Sequence, residues 1–185
     1  MSFFGETTTA PSNNPTFAAS SAFFTAAASP TDVFTVTGSA SKTVKILKVY
    51  VALSNSAMVL GAPNQFAVVK RSSANTGGTS TSITPVPLDS NDTATATAAN
   101  YTANPTGLGT LAGQVSTAVI TGHVSMASGV STTSAPNQVC LFDADKYGKA
   151  ITLRGTAQQC SVNILTGTLT GTAPLLSITV IFTES

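Results

Sequence analysis

From residue 32 onward, apolar and polar positions alternate with a period of two, and Gly, Pro, Asn and Ser interrupt the alternation at short intervals. This is the signature of half-buried strands joined by turns. The strongest segment is 43–53, where Leu47, Val49, Val51 and Leu53 share one face and Val44, Ile46, Lys48 and Tyr50 share the other. Further strands are predicted over 33–37, 66–71, 82–86, 114–124, 139–142, 149–153, 159–165 and 175–183. Gly77-Gly78, Gly107 to Gly109 and the hydroxyl-rich run 166–172 read as turns. Roughly eight or nine short strands with regular turn signals predict an all-β fold, an antiparallel β-sandwich with the jelly roll as its favoured form.

Two segments depart from this pattern. Thr and Ala alternate over 93–99, which equally permits a strand, and a short helix is favoured there because Asn and Asp capping candidates precede it in Asp89-Ser90-Asn91-Asp92. Residues 1–30 have neither period, yet they hold Phe3, Phe4, Phe17, Phe23 and Phe24, five of the nine Phe in the chain. They predict an extended arm, with room for a short helix over 18–28, leading into a sandwich domain over 31–185. Each buried Phe contributes roughly 1.5–3 kcal/mol, so the five are the predicted partner-binding residues of the arm. The groove that takes them belongs either to a neighbouring subunit or to the chain's own domain.

Composition narrows the function. With 185 residues, 8 basic and 7 acidic side chains, a net charge of +1, one His and no Trp, the chain suits one domain and is poor in groups for chemistry. Lys42, Lys45, Lys48, Lys70, Arg71, Lys146, Lys149 and Arg154 form no basic stripe, so nucleic acid is not an expected partner. These cations lie in or beside strands, which makes them the places to look for a polar contact. No apolar run approaches the roughly 18–20 residues that span a bilayer, and no membrane partner is expected. Residues 1–29 contain Glu6 but no Lys or Arg, hence no positive leader region, and the chain is expected to be made in a cytosol.

Candidate chemistry is sparse. Asp143-Ala144-Asp145-Lys146-Tyr147-Gly148 opens like a calcium loop, but Tyr147 occupies a ligand position and Arg154 stands where a bidentate Glu belongs, so a turn is the better reading. His123 follows Thr121-Gly122 with no acid or Cys nearby in sequence, which argues against a hydrolytic triad. Cys140 and Cys160 fit no metal spacing and are expected as two buried free thiols, with a cross-strand disulfide as the alternative. Neither catalytic residues nor a cofactor or metal site is predicted.

The segment Ala150-Ile151-Thr152-Leu153-Arg154-Gly155-Thr156-Ala157-Gln158-Gln159-Cys160-Ser161-Val162-Asn163-Ile164 and the closing Leu175-Leu176-Ser177-Ile178-Thr179-Val180-Ile181-Phe182-Thr183-Glu184 resemble the last strands of jelly-roll virion proteins from tailed bacteriophages. There a strand ends in an apolar-Arg-Gly step and the chain finishes on an aromatic-Thr-Glu strand. Residues 69–79, Leu88-Asp89-Ser90 and Tyr101-Thr102-Ala103-Asn104-Pro105 are similar to the same group. The resemblance covers 33–184 and is structural, so no functional residue carries over. It implies a non-enzymatic capsid-associated part located in the virion: a decoration or cement protein, or a head-fibre or tail component. Partners would be the major capsid protein or other virion subunits, and the assembly a homotrimer or other symmetric homo-oligomer. The rival expectation is a receptor- or glycan-binding module at a fibre tip, using loops 72–82 and 128–137.

Overall fold

The computed structural model describes residues 14–26, 31–53, 63–121, 138–165 and 175–185. Two antiparallel sheets pack as a sandwich around one apolar core. The first sheet contains β1 (Thr16–Ser20), β2 (Phe24–Thr25), β4 (Thr43–Leu53), β7 (Val86–Pro87), β10 (Gln138–Asp143), β11 (Ile151–Arg154) and β13 (Leu175–Glu184). The second contains β3 (Thr31–Thr37), β5 (Pro63–Arg71), β6 (Thr79–Ile83), β8 (Thr97–Ala103), β9 (Leu111–Thr121) and β12 (Gln159–Ile164). Strand order is β10-β4-β13-β1-β7 in the first sheet, with β11 also on β4 and β2 also on β13, and β6-β8-β3-β12-β5-β9 in the second. The sandwich expected from the alternation is present. Sheets of 7 and 6 strands go beyond the plain eight-stranded jelly roll.

The faces of β4 differ from the simple alternation. Val44 and Ile46 point into the core, as do Val49, Val51 and Leu53, while Leu47 and Lys48 between them are half-buried. Opposite them, Phe182 pairs with Ile46 and Ile181 with Lys48, which leaves Leu47 as the extra residue of a β-bulge. One inserted residue exchanges the two faces, so both of the sets predicted for this strand contribute core residues.

Residues 93–103 are not helical. Thr97–Ala103 is strand β8, and the preceding loop is held by Glu184. The Glu184 carboxylate accepts from Thr95 N at 2.9 Å and Ala96 N at 2.7 Å, and it meets Lys42 Nζ at 3.3 Å. Burial pushes the Glu184 carboxyl up, but the N–H groups of Ala96 and Thr95 outweigh this and hold it below the usual range. These N–H groups would have been the free donors at the start of a helix; a residue about ninety positions away satisfies them instead. The single α-helix among the described residues is α1 (Ala144–Tyr147), with Asp143 as N-cap and Gly148 at φ 67° as its left-handed C-cap.

The expected arm also changes. β1 pairs with β13 from Thr16↔Thr183 to Ser20↔Thr179, and β2 continues along the same neighbour. Residues 16–25 are therefore part of the sandwich rather than an arm ending at 30, and no helix occupies the described part of 18–28. Phe17 and Ala19 alternate inward, and Ser21 keeps the ladder going where the strand breaks, its Oγ accepting from Ile178 N at 3.0 Å.

Candidate interaction surfaces

The five Phe residues predicted to bind a partner separate into three groups. Phe3 and Phe4 lie outside the described residues. Phe17 is fully buried and stacks on Phe182 with ring centroids 5.5 Å apart, so it docks on its own domain. Phe24 is half-buried against the core, and Phe23, in the break between β1 and β2, is 54% exposed. Phe23 and Phe24 line a cleft of about 410 Å³ with Thr81, Thr84 and Asn100. On the neighbouring edge strand β7, Val86 is 61% exposed, and Leu88 just after it is 68% exposed. Pro87 on this edge has no N–H to offer, so contact here runs through side chains rather than added strands.

The cations fall into three groups. Lys42 is paired with Glu184, Lys48 with Asp143 and Asp145, and Arg71 with Asp32. By contrast, Lys70 and the sequence-distant Lys149 and Arg154 meet around a cleft of about 370 Å³ where β11 at the edge of the first sheet faces β5 and β9. Lys70 Nζ spans the sheets to donate to Thr152 O at 2.7 Å. No carboxylate lines this cleft. Lys45 on β4 and Lys146 in α1 are in no ion pair either, so five basic residues near strands are left for a polar contact, and three of them share the cleft.

Sequence reasoning missed a buried polar cluster. Asp32, fully buried on β3, receives Arg71 Nε and Nη2 as a bidentate pair, with Asn163 Nδ2 at 2.7 Å and Asn75 Nδ2 at 2.8 Å. Arg71 Nη1 donates to Gly109 O at 2.6 Å, and Gly109 N donates to Asn75 Oδ1 at 2.8 Å. The cluster sits on the outer face of the second sheet, beneath segments 72–78 and 104–110, and ties both loops down. Gly109 has to be glycine, since a Cβ there would lie 1.9 Å from Ser73 O. Burial opposes ionisation of Asp32, yet the hydrogen bonds from Arg71, Asn163 and Asn75 outweigh it and hold the carboxyl below its ordinary range. Every oxygen of Asp32 is occupied, so the cluster organises loops and offers no free base. The signal in the sequence was an Asp and an Arg inside otherwise apolar strands.

The remaining chemical candidates also resolve. Lys48 bridges Asp143 and Asp145 at 3.6 and 3.4 Å, so a cation from β4 already faces the carboxylates of the calcium-like loop. The hydrogen bond that Lys48 donates to Asp145, with the charge of Asp143, raises the Lys48 pKa. Among the described residues, no group of three or more His, Cys, Asp and Glu converges as a metal site. His123 and the loop 128–137 lie outside the described residues. The two thiols are free and sit in different sheets; Cys160 is buried, but Cys140 is exposed on β10, contrary to the expected pair of buried thiols. Burial pushes the Cys160 thiol up to about 12. A disulfide reagent is expected to titrate Cys140 alone in the native chain and both thiols after denaturation; equal native reaction rates would contradict this burial.

No protein-family model matches the chain, and neither a curated protein nor a solved structure does, so its role has to be argued from these surfaces.

Proposed function

We propose that this chain is a non-enzymatic structural subunit of a tailed-phage virion, decorating or cementing the capsid through side-chain contacts with the major capsid protein or other virion subunits. The observation that carries the proposal is the exposure of three large apolar side chains, Phe23, Val86 and Leu88, on or next to the β1 and β7 strands at one sandwich edge. Large apolar side chains gathered on an edge and rimmed by hydroxyls suit a protein partner. The resemblance of residues 33–184 to virion jelly rolls supplies the setting. In infected cells, tagged full-length chain is expected to co-purify with particles through a density gradient. A chain lacking residues 1–13 and carrying Phe23→Ser should be lost from them while its circular dichroism is unchanged. Retention of that variant would sink the aromatic-anchor model, and wild-type chain free of particles would remove the virion reading.

A receptor- or glycan-binding module is the second reading, and one observation favours it. Phe23 and Phe24 supply an aromatic wall beside Thr81, Thr84 and Asn100, the combination that loop 72–82 lacks by itself. Binding of the isolated chain to host cells, lost in Phe23→Ser, would favour this role over cementing.

A further inference from the structure

Two groups of unpaired charge lie on opposite edges of one sheet, with unpaired Lys45 of β4 in the row between them and unpaired Lys146 apart in α1. Four of the described carboxylates, Asp32, Asp143, Asp145 and Glu184, each face a cation. The other described carboxylates are Asp89 and Asp92, in the turn after β7, where Asp89 is exposed, Asp92 half-buried and neither is in an ion pair. Across the sheet, Lys70, Lys149 and Arg154 surround the cleft at β11 without an acid among them.

Register places the two features on one row. Thr152 pairs with Lys45, Lys45 with Thr183 and Thr183 with Thr16, and Leu88 N donates to Thr16 O. At about 4.8 Å per strand, the four steps from β11 to β7 put the acidic turn and the basic cleft about 19 Å apart at the same end of the sheet. The surroundings match as well as the charges. Exposed Val86 and Leu88 lead into the acidic turn, and Val115, Ala150 and Ile151 line the basic cleft. The cleft has the volume of a small-ligand site, which takes the tip of a turn rather than a whole strand.

We propose that a second copy of this chain occupies the cleft. The turn 88–92 of one copy places Asp89 and Asp92 between Lys70, Lys149 and Arg154 of the next. Because the two halves of the contact are different surfaces of the same chain, it is head-to-tail, and repetition closes a ring where the rotation allows. This rests on the reading of the chain as an assembling subunit, and it names the surfaces that assemble.

Charge reversal tests it on the full chain by sedimentation velocity. Wild type is expected as an oligomer whose mass falls with rising salt, as unpaired surface charges require. Asp89→Lys with Asp92→Lys, or Lys149→Glu with Arg154→Glu, should each give monomers, with Kd raised at least about tenfold per reversed contact. Mixing the two double variants should restore assembly, and only to even-numbered rings, since each copy then accepts only the other kind. A chain carrying all four reversals should reassemble with itself. The proposal is overturned by a monomeric wild type, by either reversal alone keeping the wild-type mass, or by a mixture that stays monomeric. It is equally overturned if the cleft reversal only abolishes binding of inorganic phosphate. Particle-bound chain that is monomeric in solution would remove this contact and leave the virion reading. Charge-dependent rings that never join particles would do the reverse.

Discussion

Asp32→Ala is expected to lower the unfolding free energy by about 3–5 kcal/mol, because it leaves the Arg71 guanidinium buried without its counter-charge. Arg71 cannot shed its proton to escape, and Asn75 and Asn163 lose an acceptor in the same step. Urea unfolding measures the loss, and Asp32→Ala with Arg71→Met is expected to recover part of it, since a buried pair costs more when half-removed than when replaced by apolar side chains. A loss within about 0.5 kcal/mol would mean that the cluster is solvated and holds nothing. The pH dependence follows from the direction of the shift. Asp32 is held below its ordinary pKa, so its contribution is present above the unfolded value of about 3.9 and disappears as pH falls through the lower folded value. Glu184 is lowered too, and its contribution fades in the same sense below its unfolded value of about 4.3. Stability is therefore expected to fall in the acid range below about pH 4, less steeply in Asp32→Asn.

Phe17→Ala is the second large effect, expected to cost about 3–5 kcal/mol. The ring is fully buried and stacked on Phe182 of β13, the strand between β4 and β1, so truncation leaves a cavity where the neighbouring ladder cannot collapse. Phe23→Ala, six positions on, should leave the unfolding midpoint within about 0.5 kcal/mol of wild type, as expected of an exposed side chain. This pair separates two accounts of the N-terminal aromatic residues. If Phe17 anchored a partner, both substitutions would be mild for the isolated chain. A large loss for Phe17 alone makes it a core residue and leaves the partner surface to Phe23.

Both effects come from residues whose type was plain in the sequence and whose role was not. Thr43–Leu53 and Leu175–Glu184 were legible as strands because alternation is a local property of the chain. The same alternation could not reveal that Leu47 is an extra residue, since a bulge is defined by the register of β13 across from it. The Thr-Ala run after Asp92 carried capping residues for a helix start, while its alternation and its β-branched Thr suited a strand equally. The donors are instead satisfied by Glu184, which the pairing of β13 with β4 brings to them. Of the interaction surfaces, the unequal placement of Phe pointed to the region of Phe23, and the basic residues near strands included all three cations of the cleft. Neither signal indicated which of these residues other parts of the chain would take up.

The sequence by itself determined that the chain is a β-sandwich with few charged groups, because strand formation, turn positions and the charge inventory are properties of neighbouring residues and of composition. Only the tertiary structure decided which groups are left over. It paired Arg71 with Asp32, Lys48 with Asp143 and Asp145, and Lys42 with Glu184, contacts that join segments far apart in the chain. Among the charges that remained, the placing of Asp89 and Asp92 on one edge and of Lys70, Lys149 and Arg154 on the other follows from strand order, which long-range pairing sets and no local pattern encodes.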